Sequence, residues 1–400
     1  MKIKLLLTLL FTILLLPLYL GFGPVFTMFN GWQDFSPRAT TTAALEHTEW
    51  QKPIQQSRAI VEQQFSALGT PSLSVAVGKN GQLIWAQAWG YADLTTAQLA
   101  DTATRYRLGS TSKFVTAMLL GKMLAQNQLT LDAPIRQYFP QHQFANNTMT
   151  LRQVMSHSAG IRDYGWCFCA PVWETLNRRH FATVTASLST IESDALRFEP
   201  GSDFLYSSLG FNIGGAVIER VSGQHFLTTL QQQLTLPLKL DSLSGEHDRR
   251  HDAVFYETRD DIIRPSTDVD LSIKWPSGGL LAKPSDLVKL GNAFLSDGIF
   301  PATIRQQLSQ AQRLNDGRVN PQNYAIGMRH DPDWPLHKKT MHVAAIHHGG
   351  VAQGSTSWLI VFPQQQLVIA LAINRQNRQF NELTRLGDAI AEQFIALNAP

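Results

Sequence analysis

Four hundred residues provide for one large domain or roughly two to three average ones. Apolar residues make up 44% and aromatics 10%, which supplies a packed core and excludes a disordered chain, a collagen-like repeat or a bare coiled coil. The 34 basic and 31 acidic residues leave a net charge of only +3 and no Lys/Arg-rich stretch, so nucleic-acid binding is excluded as well, and two cysteines cannot build a disulfide scaffold.

Lys2 and Lys4 precede an uncharged run from Leu5 to Gln33 that is rich in Leu, Phe and Ile. Its length suits a membrane-crossing helix, which needs about 20 residues, and its basic start predicts either a retained anchor or a cleaved export signal. No Cys follows the run, so lipoprotein processing is not expected. The predicted division is a membrane or signal segment over 1–32, a Thr- and Ala-rich linker over 33–48, and one domain over 49–400. That domain is expected outside the cytoplasm: anchored in the inner membrane and facing the periplasm, or periplasmic if the segment is cleaved.

Ile54, Ile60, Val61, Phe65 and Leu68 predict a helix ending at Gly69. Leu73–Val77 and Gln82–Trp89 read as strands joined at Lys79-Asn80-Gly81, where Asn-Gly is a strong hairpin signal. Residues 110–235 read as mostly helical. Ser355–Phe362 and Leu367–Ile373 form a second strand pair around Pro363, and a helix over Asn381–Leu397 closes the chain. Strands at both ends with helices between predict an α/β (α+β) unit, its antiparallel sheet built from both chain ends, with an inserted helical lobe. The cleft between the lobes is the expected ligand site.

Three stretches carry candidate chemistry. In Gly109-Ser110-Thr111-Ser112-Lys113, a helix starting near Ser110 places the Lys113 amine beside the Ser110 hydroxyl. A serine needs a neighbour to take its proton, and a desolvated lysine can be that neighbour. In Phe204-Leu205-Tyr206-Ser207-Ser208, a tyrosine near a lysine cation would ionise more easily and shuttle a proton, while Ser208 would donate a hydrogen bond. In His347-His348-Gly349-Gly350, small residues let a substrate approach a strand whose N–H groups can hold an oxyanion. The adjacent histidines lack metal-ligand spacing, and His247, Asp248, His251 and Asp252 read as a solvated loop. Cys167 and Cys169 have the wrong spacing for a C-x-x-C redox motif. There is no G-x-S-x-G elbow, P-loop or dinucleotide fingerprint.

Taken in order, these stretches resemble the serine β-lactamase and penicillin-binding-protein superfamily, in its class C branch of β-lactamases, D,D-peptidases and related esterases. Thr104–Lys113 resembles the first motif block and Val154–Ile161 the "LL-x-H-T-S-G-I" block. Glu199–Gly210 resembles "PG-x-x-F-x-YSN-x-G", Gly278-Gly279-Leu280 with Asp286-Leu287 the "GGL" block, and His347–Gly350 an "H-T-G-G" strand motif. Arg162-Asp163-Tyr164 and the Asp248–Tyr256 stretch are similar to the branch of mitochondrial serine β-lactamase-like proteins and their bacterial relatives. The resemblance implies a β-lactamase/transpeptidase-like fold and an exported serine hydrolase that cleaves a peptide amide or an ester, with no metal or organic cofactor. It implies Ser110 as the acylated nucleophile, Lys113 as its proton acceptor and Tyr206 as the general base. Ser110 and Gly350 would supply the oxyanion N–H groups. Ser208, His347, His348 and Gly349 would meet the substrate, His347 standing where antibiotic-hydrolysing enzymes place a carboxylate-supporting lysine. Ser208 in place of asparagine, and His347-His348-Gly349 in place of K-T-G, argue against efficient β-lactam hydrolysis. A catalytically weak polymer-forming scaffold and a cell-wall D,D-carboxypeptidase are the alternative outcomes, and a homo-oligomer is compatible with each.

Overall fold

The computed structural model describes residues 4, 8–16, 18, 19, 29–141, 148–165, 173–246, 252–338, 340–376 and 381–395. Cys167, Cys169, His247, Asp248 and His251 lie outside them. So do residues 1–3, 5–7, 17 and 20–28 of the expected membrane segment. Among the described residues, no helix is long and apolar enough to cross a membrane.

The larger sheet has eight strands. In chain order they are β1 (Leu45–Glu46), β2 (Ser72–Lys79), β3 (Gln82–Asp93), β4 (Gln98–Leu99), β5 (Arg329–Pro335), β6 (His342–Ala352), β7 (Ser355–Phe362) and β8 (Leu367–Ile373). Their spatial order is β5-β6-β7-β8-β2-β3-β1, with β4 on β3. The β8–β2 pairing, Ile373 opposite Leu73 through Leu367 opposite Lys79, joins the two chain ends. Asn80 and Gly81 both have positive φ, 52° and 78°, as a primed two-residue hairpin turn requires.

Alternation along the strands splits the core in two. Val75, Val77, Ile360, Ile369 and Leu371 face one side, where α1 (Gln51–Leu68) and α5 (Asn381–Ile395) cover them. Ala76, Leu359, Val361, Val368 and Ala370 face the other, against α4 (Pro284–Leu295) and the helical lobe. With both faces buried, β7 and β8 read as continuous apolar runs. The lobe is built on α2 (Ser112–Ala125), almost wholly buried, and α3 (Ser208–Ser222). Between them lie irregular segments and short helices such as Leu151–Met155, so 110–235 is less helical than its composition predicts.

Residues 33–48 are not a free linker. Gln33–Asp34 pairs with Ile262–Pro265, Thr41 bridges Trp89, and Leu45–Glu46 pairs with β3. The physical reason is the edge of β3, whose N–H and C=O groups would otherwise face solvent unpaired. The Gly90 N–H donates to Thr40 at 2.7 Å and the His47 N–H to Ile84 at 2.9 Å.

Candidate active site

Ser110 sits in a single 3-10 turn, Gly109–Thr111, that runs directly into α2. Gly109 has φ +51°, and a Cβ there would lie 2.6 Å from the Val351 backbone. At Gly350 an added Cβ would lie 1.8 Å from the Leu108 carbonyl oxygen and 2.8 Å from the Ser110 nitrogen. Two glycines thus let β6 pass within touching distance of the serine turn. Side chains fasten the crossing: Ser357 Oγ donates to the Leu108 carbonyl at 2.7 Å, and Thr111 Oγ1 to the His348 carbonyl at 3.2 Å. Backbone groups of a strand repeat direction every second residue, so the Gly350 N–H points toward the same turn as the His348 carbonyl. Gly350→Ala should therefore destabilise the fold by at least about 1–3 kcal/mol, through overpacking rather than lost chemistry. Thermal denaturation measures this, and an unchanged Tm would contradict the crossing.

One turn along α2, the fully buried Lys113 Nζ has three oxygen partners. They are Ser110 Oγ at 3.2 Å, Ser208 Oγ at 3.1 Å and the Ser277 carbonyl at 2.7 Å. A neutral amine offers two N–H donors and one lone pair, so it satisfies all three by donating to Ser277 and Ser208 and accepting the Ser110 O–H. Burial pulls the Lys113 pKa down to about 7. Asp163 raises it, and the Arg329 cation lowers it further. The amine therefore exchanges its proton near neutrality.

Tyr206 precedes α3, whose start is capped by Ser207 Oγ accepting the Gly210 N–H at 2.8 Å. Its ring lies 4.8 Å below Lys113 Nζ, and Tyr206 and Ser110 line the same cavity. Burial pushes the phenol up to about 12, against the lowering by Ser110 and Arg329. This reverses the expectation that the lysine would ease its ionisation: desolvation outweighs the nearby cations, and Tyr206 is protonated at neutral pH. His157 steadies this segment from the side. It holds φ +62°, accepts the Ser207 N–H on Nδ1 at 3.2 Å and packs its ring at a tilt, 4.3 Å from the Tyr206 ring. Burial keeps its imidazole neutral.

The remaining expected residues fall differently. Ser208 Oγ accepts a hydrogen bond from Lys113 Nζ at 3.1 Å, and its N–H donates to Asp163 Oδ1 at 2.9 Å. His348 is 1% exposed. Its Nδ1–H donates to the Gly349 carbonyl at 2.7 Å and its Nε2 accepts the Tyr324 hydroxyl at 2.9 Å, leaving no donor for a ligand. His347 lies between Trp334 and Trp358, at centroid distances of 4.6 and 5.0 Å, with Nε2 on Asp331 Oδ2 at 2.7 Å. Burial lowers its pKa, so it is no cationic substitute for a lysine. Ser110, Tyr206, His347, His348 and Gly349 nonetheless line one cavity of about 440 Å³, together with Arg329, Trp334 and Trp358. Sequence reading missed Arg329 and Trp334 because β5 carries Asp331, Pro332 and Asp333 and has no apolar alternation. Asp252, in the loop read as solvated, pairs with Arg105 at 2.6 Å. No group of three or more His, Cys, Asp or Glu that could hold a metal occurs among the described residues.

A serine turn leading into a buried helix, with its lysine one turn on and a strand of the antiparallel sheet crossing above, defines the β-lactamase/transpeptidase-like class of α/β proteins. The chain belongs to the beta-lactamase family, whose model matches residues 58–392. It is 23% identical to the mitochondrial serine beta-lactamase-like protein LACTB of Mus musculus, over 83% of this chain and 77% of that one. In fold it is similar to the D-amino acid amidase from Ochrobactrum anthropi SV3 in complex with L-phenylalanine, with a TM-score of 0.72 and 18% identity. That match covers 86% of this chain and 100% of the amidase. It is also similar to EstCE1, a hydrolase with promiscuous acyltransferase activity, with a TM-score of 0.68 and 18% identity, covering 86% of this chain and 100% of that one.

Proposed function

We propose that this chain is a serine hydrolase that cleaves a peptide amide or an ester through an acyl-enzyme on Ser110, outside the cytoplasm as its uncharged N-terminal run suggests. The observation that carries the reading is the Lys113 amine, buried, poised near neutrality and 3.2 Å from Ser110 Oγ. Neutral Lys113 takes the Ser110 proton as Oγ bonds to the acyl carbon. The carbonyl oxygen becomes an oxyanion held by the N–H groups of Ser110 and Gly350. Collapse of this adduct breaks the bond to the leaving amine or alcohol, which is protonated from the Tyr206 hydroxyl while the Lys113 ammonium restores the phenol. Water then repeats the sequence on the acyl-enzyme and releases the acid. In this reading Tyr206 acts as a proton relay that starts protonated, where the family resemblance implied a general base.

Arylacetate esters, D-amino-acid amides and a penicillin form the test panel. Turnover of esters or amides with little of the penicillin is expected, because the described site has neither the amide of an asparagine nor a lysine at position 347. No turnover of any member would overturn the reading. Tyr206→Phe should lower kcat/KM by about 100-fold, the usual worth of one positioned acid–base group. An unchanged rate would remove Tyr206 from the relay.

A further inference from the structure

Trp334 lines the Ser110 cavity from a strand that backbone pairing holds only loosely. β5 is the outermost strand of its sheet, its register with β6 shifts between Asp331 and Trp334, and Pro332 and Pro335 have no N–H to give. Side chains take over what the ladder leaves. The Trp334 Nε1–H donates to Asp388 Oδ1 on α5 at 2.9 Å, and one turn further along α5 Glu392 Oε1 accepts the Lys338 N–H at 2.7 Å. Two carboxylates of one helix thus clamp the end of β5 and the turn that follows it, and Asp388 is the one that reaches a cavity residue. With its N–H turned onto α5, the indole packs 4.6 Å from the His347 ring and 6.1 Å from that of Trp358.

Asp388 is 6% exposed, and among the described residues its carboxylate has no hydrogen-bond partner besides Trp334 and no ion pair. Few charges face it. β7 and β8, beneath α5, carry no charged residue. On α1, Arg58 is paired with Glu46, while Lys52 and Glu62 are exposed. On β5, Asp331 is bonded to His347 at 2.7 Å and Asp333 to His342 at 3.1 Å, and the Lys338 side chain is exposed. On α5 itself, Glu382 pairs with Arg375 at 3.1 Å, Arg385 is exposed, and Glu392 adds a like charge at i+4. Burial, opposed by the indole bond and reinforced by Glu392, pushes the Asp388 carboxyl up to about 7. A charged acceptor holds an N–H more strongly than a neutral one, so the hold on Trp334 tightens as pH rises through that value.

We propose that Asp388 is a positioning residue of the Ser110 site, its carboxylate fixing the Trp334 indole as the cavity wall against which an aromatic group of the substrate packs. The role in substrate binding rests on the hydrolase reading. The hold on the indole does not.

Two measurements on the full chain separate them. Labelling tryptophan with nitrogen-15 gives one indole N–H resonance for each of the nine Trp residues, and Trp334→Phe identifies the one that matters. That resonance should shift with a midpoint near pH 7, and should stay still in Asp388→Asn, which keeps an acceptor that does not titrate. At pH 8, acid release is followed from ethyl acetate, 2-phenylethyl acetate and ethyl 3-phenylpropanoate, the last two carrying a ring on the leaving and acyl sides. Asp388→Leu should raise KM about tenfold for at least one ring-bearing ester while its kcat and the KM of ethyl acetate stay within about twofold. Asp388→Asn should restore most of the loss, and its indole test stands if the leucine form does not fold. In Trp334→Phe, Asp388→Leu should have no further effect on KM. An indole that ignores pH, a titration that survives Asp388→Asn, or KM values that rise together for all three esters would overturn the proposal. Turnover with any of those results would sink the positioning role alone. A titrating indole without turnover of any ester would sink the serine chemistry alone.

Discussion

Ser110→Ala is expected to lower kcat/KM on any turned-over ester by about 10⁴- to 10⁶-fold, close to the background of the cavity itself. Loss of the hydroxyl removes the covalent route entirely, and the oxyanion N–H groups cannot replace it. The substitution is also mild structurally. Ser110 Oγ bonds Lys113 Nζ, and the turn itself is held by Ser357 and Thr111. Tm should therefore change little while activity vanishes. A variant that retains more than about one per cent of wild-type turnover would place the nucleophile elsewhere.

Lys113→Met should cost about 10³- to 10⁴-fold in the same assay, and it carries a pH signature that Ser110→Ala does not. The wild-type amine titrates at about 7, and its neutral form is the active one. The kcat/KM profile should accordingly fall tenfold per pH unit below that value and level off above it. Tyr206, pushed up to about 12, stays protonated throughout this range and adds no second rising limb near neutrality. In Lys113→Met the limb at 7 should disappear.

The same shift predicts the effect on stability. An unfolded lysine holds its proton up to about 10.4, whereas the folded one releases it above about 7. Between these values the unfolded chain binds more protons, so the Lys113 contribution makes wild-type stability rise with pH across that window. Below 7 the full cost of the buried amine is present. Lys113→Met should then have a higher Tm than wild type at pH 7 and lack this part of the rise toward pH 10. A lower Tm at pH 7 would mean that the three hydrogen bonds outweigh desolvation.

Much of this arrangement was legible because it is local. Asn80-Gly81 can adopt the two left-handed conformations of its turn, and the Ser110–Lys113 spacing fixes both side chains on one helical face. Chain-end strands with unbroken apolar runs announced a doubly covered sheet. What was hidden depends on long-range pairing and desolvation. Residues 40–47 gave no strand signal because they are held by the edge they cover. β5 was unreadable because its register with β6 shifts between Asp331 and Trp334, and only that register brings Arg329, Asp331 and Trp334 to His347. The phenol of Tyr206 moves opposite to the sequence expectation because burial dominates the field of Arg329. Ser208 matched an asparagine position in the sequence, yet its hydroxyl is turned onto the lysine.

Intact-mass analysis after treatment with an alkyl fluorophosphonate, followed by peptide mapping, addresses the serine directly. A single adduct on the peptide containing Ser110, formed faster as pH rises through about 7 and absent from Ser110→Ala, is the expected result. An adduct on another residue, or one that persists unchanged in Ser110→Ala, would contradict the assignment of the nucleophile.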